Sequence, residues 1–122
     1  MVQDPAPPRA TLLFQNFPNP FPVQGQDFTC VWFDLAAAGS VELEILDLRG
    51  TLVRRFVPGP DFPAILPAGR YGRDAGSTCD PRLTWDGRTT DGRTVPQGVY
   101  VIKLKASGEH SFRRIVFRGR TH

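Results

Sequence analysis

Apolar positions in this chain alternate with polar ones over short stretches, and no segment of useful length repeats them at helical spacing. Val41, Leu43 and Ile45 alternate with Glu42 and Glu44, the pattern of a strand with one buried and one wet face. Asp27 to Leu35 (DFTCVWFDL) is rich in β-branched and aromatic residues, which suit a pleated, half-buried surface. Leu52 to Val57 reads as the hairpin partner of the 41–48 strand through Arg49-Gly50-Thr51, a tight turn. Val99 to Ala106 and Phe112 to Arg118 read as a second hairpin around Ser107-Gly108-Glu109. Shorter runs at 11–17 and 82–86 complete a set of roughly seven strands at close spacing, which predicts an all-β antiparallel sandwich.

The 12 glycines and 12 prolines of the 122 residues reinforce this reading, because neither residue suits a helix interior. They also divide the chain. Residues 1–10 form a Pro-rich N-terminal extension, and residues 11–120 form one domain, the size that a single core supports. Pro18, Pro20 and Pro22 force a corner flanked by Phe17 and Phe21, and both rings are expected to anchor that corner in the core. Residues 58–81 hold five prolines and no periodicity, predicting a long inserted loop of the kind that is usually functional or mobile. Trp85, just before the Asp86-Gly87 turn, is expected to be a core anchor.

The 27–35 strand departs from a half-wet pattern. With Thr29, Val31, Phe33 and Leu35 facing the core, Phe28, Cys30 and Trp32 face outward, where a sandwich strand carries polar residues. Such a patch is seldom left open in a monomer. Its expected cover is either the 58–81 loop, through Phe62, Ile65, Leu66 and Tyr71, or a partner protein. With Arg70 and Arg73 beside Tyr71, the group has the composition of an interface hot spot. Cys30 and Cys79 are either separate thiols or a disulfide tying the loop to the sheet. The expectation is the disulfide, which suits an oxidising compartment.

Charge and candidate chemistry narrow the function. The formal net charge is +3, too small to demand an anionic partner. Arg113, Arg114, Arg118 and Arg120 cluster near the C-terminus without the interleaved aromatics of a single-strand nucleic-acid binder, so a solvated edge is expected and no nucleic acid, with an acidic protein surface or anionic lipid headgroups as the alternative. The two histidines, His110 and His122, stand apart from any nucleophile-and-base arrangement. Asp86 and Asp91 sit in a Gly-rich turn, where Asp ordinarily binds backbone N–H groups, and lack the spacing of a calcium loop. Two cysteines without histidine partners do not make a zinc site. The expectation is no enzyme, no metal and no cofactor. No stretch has the length of an apolar membrane span. Met1 to Arg9 lacks the features of a signal peptide, so the chain is expected to be trimmed from a longer product or to reach its compartment by another route.

Several fragments together resemble a known family. Asn16-Phe17-Pro18-Asn19-Pro20-Phe21 resembles the opening of the Ig-like C-terminal domains of secreted bacterial proteins, and Thr29, Val31, Phe33 and Leu35 resemble the strand after it. Val41-x-Leu43-x-Ile45-x-Asp47-x-x-Gly50 resembles the family's next strand and turn. Trp85-Asp86-Gly87-Arg88, Gly92-x-x-Val95 and Gly98-Val99-Tyr100 follow in the family's order and spacing. The 58–81 loop is longer than the family's usual hairpin. The family includes the flagellar hook-cap Ig-like domain and type IX secretion C-terminal sorting domains. The resemblance implies an immunoglobulin-like sandwich of about seven strands, no catalysis, and a docking, assembly or sorting role; Phe17, Phe21, Phe33, Trp85 and Tyr100 are the expected core aromatics. The expected function is therefore a non-catalytic protein-binding module. It would be an accessory subunit of a periplasmic or cell-surface assembly, with another protein of that envelope complex as partner. A cleaved sorting domain and a carbohydrate-binding accessory domain are the alternatives.

Overall fold

In a computed structural model, residues 8–73 and 79–120 are described. Where the sequence alternates, the chain is extended and antiparallel. β4 (Gly39–Leu46), β5 (Leu52–Val57), β9 (Gly98–Ala106) and β10 (Glu109–Phe117) form the main sheet in the order β10-β9-β4-β5. Val41, Leu43 and Ile45 of β4 register against Ala106, Leu104 and Ile102 of β9, and all six are buried. The β9–β10 turn is tighter than the sequence suggested: Ser107 and Gly108 alone close it, both at positive φ, the backbone of a two-residue hairpin loop.

The 27–35 segment is not one uninterrupted strand. β2 (Thr29–Cys30) pairs with β8 (Thr84–Trp85), whereas β3 (Phe33–Leu35) pairs with β1 (Leu12–Leu13) on one side and β7 (Gly69–Tyr71) on the other. Thr29, Val31, Phe33 and Leu35 are all buried, as alternation requires. The side chains of Val31, Phe33 and Leu35 join those of the main sheet in one core.

The 58–81 segment is not a loop inserted outside the sandwich. β6 (Ile65–Leu66) pairs with the start of β4, and three residues later β7 pairs with β3. The segment thus crosses from one sheet to the other, and Phe62 and Leu66 are buried in the shared core. Its prolines hid two very short strands whose apolar residues are too few to show a period.

The motif residues close sheet edges. Asn19 lies alongside β10 and imitates a peptide unit: its Oδ1 accepts from Val116 N–H at 2.8 Å, and its Nδ2 donates to Arg114 C=O at 3.1 Å. Phe21 continues the pairing with β10 through Val116 C=O and Arg118 N–H. At the opposite edge, Thr90 caps β5 by donating its N–H to Val53 C=O at 3.2 Å and accepting Arg55 N–H at its hydroxyl at 3.4 Å. Edges left open in this way template unwanted strand pairing, and here they are covered by the two segments that looked most like motifs. Trp85 is fully buried with Phe21, Tyr100 and Phe117 around it. Phe33 is also buried, so four of the five expected core aromatics, Phe21, Phe33, Trp85 and Tyr100, lie inside.

Candidate functional site

Phe17 does not anchor the corner in the core; it is 69% exposed. The backbone decides this. Phe17 pairs with Cys30 in a local antiparallel bridge, N–H to C=O at 3.2 Å and 2.8 Å. Directly opposed residues share a face, and Cys30 lies on the outward face of its strand. Asn16 turns inward instead and donates to the Thr29 hydroxyl at 2.8 Å. Thr29 in turn donates to the Pro18 carbonyl at 2.7 Å.

Cys30 is bonded to Cys79, with the two Cα atoms 5.7 Å apart. The crossover chain lies close to the strand beneath it. A Cβ on Gly72 would fall 2.2 Å from the Val31 carbonyl oxygen and 2.7 Å from Trp32 Cα, a contact only glycine permits. Trp32 is half-buried next to this contact, with Phe14 stacked along it at 6.2 Å and the Arg73 guanidinium 5.3 Å over its ring. Between these groups lies a depression of about 200 Å³, lined by Phe17, Cys30, Trp32, Gly72, Arg73 and Cys79. Its volume suits one apolar side chain, with an arginine at the lip.

The electrostatics beside it are mixed. Asp34 registers against Arg70 on the same outward face. Burial raises the Asp34 carboxyl above its ordinary value, and Arg70 and Arg73 pull the other way. The Tyr71 hydroxyl is also raised, by burial.

Of the residues expected to form the outward patch, Trp32, Arg73 and the disulfide are gathered here. Phe62, Leu66 and Tyr71 do not line the depression. Phe62 and Leu66 are core residues, and Tyr71 registers with Phe33, stacks on it at 5.0 Å and donates its hydroxyl to Pro67 C=O. The crossover therefore fills the core with these three groups and does not cover Trp32 with them. Ile65 is exposed but belongs to the main sheet, opposite Ser40. Phe28 is half-buried outside the depression, and Arg70 is exposed on the strand next to it.

Sequence reasoning missed the outward turn of Phe17. A signal was available in the polar residue beside it: Asn16 has the hydrogen-bonding capacity to satisfy a buried corner, and its inward turn sends Phe17 outward. Among the described residues, no group of three or more His, Cys, Asp or Glu side chains could hold a metal ion, and no helix is long and apolar enough to cross a membrane. No family model and no curated protein matches this chain.

Proposed function

We propose that this protein is an immunoglobulin-like, non-catalytic docking module of an extracytoplasmic assembly, related to the Ig-like C-terminal domains its motifs resemble. The partner is another protein, which places an apolar side chain in the depression beside the disulfide. The observation that carries the reading is Phe17: a fully formed aromatic side chain standing in solvent next to Trp32 and Arg73 on a rigid, cross-linked strand pair. Aromatic and arginine side chains around a small pocket are the usual centre of a protein interface, and the disulfide accords with an oxidising compartment.

The motif residues support a structural and not a chemical role for the rest of the resemblance. Asn19 and Thr90 are engaged with sheet edges, and Trp85 donates its indole N–H to Arg88 C=O at 2.8 Å. Carbohydrate binding is less well supported, because Phe14 and Arg73 already engage the Trp32 ring that a sugar would need.

A photo-crosslinking residue at position 17, with a second at the exposed Gln24 as control, tests the proposal in the native envelope fraction. One partner band should appear from position 17 and not from position 24, and Arg73→Glu should abolish it without changing the melting temperature. Equal crosslinking from both positions would sink the reading.

A further inference from the structure

A second surface lies on the main sheet, facing away from the core. Antiparallel sheets with one face on a core ordinarily present polar residues on the other. Here β9 and β10 pair Val99 with Val116 and Val101 with Arg114 on the outer side, while Leu46 of β4 continues the second row to Leu52. Nine large hydrophobic residues are exposed among the described residues, and Leu48, Leu52, Val99, Phe112 and Val116 are five of them. The concentration on one face and its β4–β5 turn sets it apart from scattered exposed residues, which carry no message.

The same face has a concave end of about 400 Å³. Val101 and Leu46 line it together with Leu48 and Phe112, and Arg113 and Arg114 stand beside them. Leu48 is 70% and Phe112 52% exposed. Neither guanidinium forms an ion pair with a carboxylate among the described residues; Arg113 donates only to the Phe112 carbonyl, at 3.3 Å. The one carboxylate lining the cavity, Asp47, accepts the Arg49 and Thr51 N–H groups of its own turn, each at 2.9 Å. Arg114 thus stands on the outer face opposite Val101, and Arg113, opposite the buried Ile102, lines the hollow where it donates to the Phe112 carbonyl; among the described residues neither is paired with a carboxylate.

We propose that this hollow docks a segment of a partner protein in which apolar and acidic side chains alternate. The apolar groups seat against Val101, Leu46 and Phe112, and the carboxylates meet Arg113 and Arg114. Charge complementarity selects this occupant over the others. A second copy applied hollow to hollow would set Arg114 against Arg114. A flat anionic bilayer would meet the whole face, including Glu42 and the Glu44–Arg55 pair in the neighbouring rows, and it has nothing to insert into a concave end. The proposal is independent of the depression at Phe17, which lies outside the main sheet, so the two surfaces together would let the module bridge two neighbours.

The test uses the full chain and three short fluorescent peptides of equal length, alternating Leu with Glu, Leu with Lys, and Ser with Glu. Binding is read by anisotropy and mapped by amide chemical shifts. The Leu–Glu peptide should bind at least about tenfold more tightly than either of the others, weaken as salt is raised, and shift amides within residues 46–50, 99–103 and 112–116. Arg113→Glu with Arg114→Glu should abolish that binding, and Phe112→Ser should weaken it, each with an unchanged far-ultraviolet spectrum. Phe17→Ser should leave it unaffected, which separates this surface from the first. Equal binding of the Leu–Lys peptide overturns the proposal, as do shifts centred on residues 17, 32 and 73. Co-sedimentation with phosphatidylglycerol vesicles that the double variant abolishes, without peptide preference, would assign the face to a membrane surface instead.

Discussion

Two aromatic residues from the motif segments have opposite fates, and substitution separates them. Trp85 is fully buried against Phe21, Tyr100 and Phe117. Trp85→Ala should cost about 3–5 kcal/mol in urea unfolding, a large share of a small domain's stability; an unchanged midpoint would refute its place in the core. Gly87 beside it is constrained in two ways. Its φ is +83°, and a Cβ would lie 2.2 Å from Phe117 Cζ. Gly87→Ala should therefore destabilise by more than the ~1 kcal/mol scale of ordinary glycine replacements, with Phe117→Leu partly restoring it if the clash dominates. Phe17 contrasts with both: Phe17→Ser removes a solvent-facing ring and should leave the melting temperature unchanged. The buried role of Trp85 was legible because a short strand ending in Asp-Gly has few other places for an indole. The exposure of Phe17 was not, because it depends on pairing with Cys30, a contact that periodicity does not encode.

At the scale of elements, the sheet edges explain which polar residues the fold requires. Asn19 supplies an acceptor to Val116 N–H and a donor to Arg114 C=O, so Asn19→Ala leaves two edge groups to solvent. The expected cost is about 1–2 kcal/mol, the range of ordinary hydrogen-bond losses, with greater self-association as the edge opens. Asn19→Asp keeps the acceptor and loses the donor, and should fall between. The short 3-10 turn at Pro81–Leu83 has a comparable cap in Asp80, whose side chain accepts from Arg82 N–H at 2.9 Å and pairs with the Arg82 guanidinium at 2.7 Å. The hydrogen bond from the Arg82 side chain is the leading cause that holds the Asp80 carboxyl below its ordinary value. A depressed folded-state carboxylate contributes stability above its unfolded pKa of about 4 and loses it as pH falls through the lower folded value. Asp80→Asn should therefore flatten part of the acid limb of a stability-versus-pH curve and leave its shape near neutrality unchanged. The long strands at 41–46, 52–57 and 98–106 were legible because each carries several apolar residues in register. β6 and β7 were not: two or three residues give no period, and it is pairing with β4 and β3 that makes them strands.

In the whole molecule the main sheet packs with two smaller sheets, β1-β3-β7 and β2-β8, and the 58–81 segment pairs with two of the three and is bonded to the third through Cys79, which changes what that segment is for. Cys30 and Cys79 are separated by 49 residues. Closing a loop of that length is worth about 4 kcal/mol in the chain-entropy account, which is model-dependent. Intact-mass measurement should show no alkylatable thiol in the unfolded, unreduced protein, and reduction should lower the melting temperature; two reactive thiols before reduction would remove the cross-link. Shortening residues 60–78 to a tight turn is the stricter experiment. A loop that merely shielded an outward patch could be cut back with the sandwich intact. The crossover instead places Phe62 and Leu66 in the core and supplies β6 and β7 as partners to β4 and β3. Each buried apolar side chain of this kind is worth about 1.5–3 kcal/mol, and β3 would lose its pairing along one side as well. Those losses add up to a substantial part of the 5–15 kcal/mol that separates folded from unfolded domains. The shortened chain should lose cooperative thermal unfolding and near-ultraviolet dichroism, whereas the full-length Phe62→Leu variant should still unfold in one step at a lower temperature. A shortened chain that melts cooperatively at the parent temperature would show that the sheets hold together without this segment.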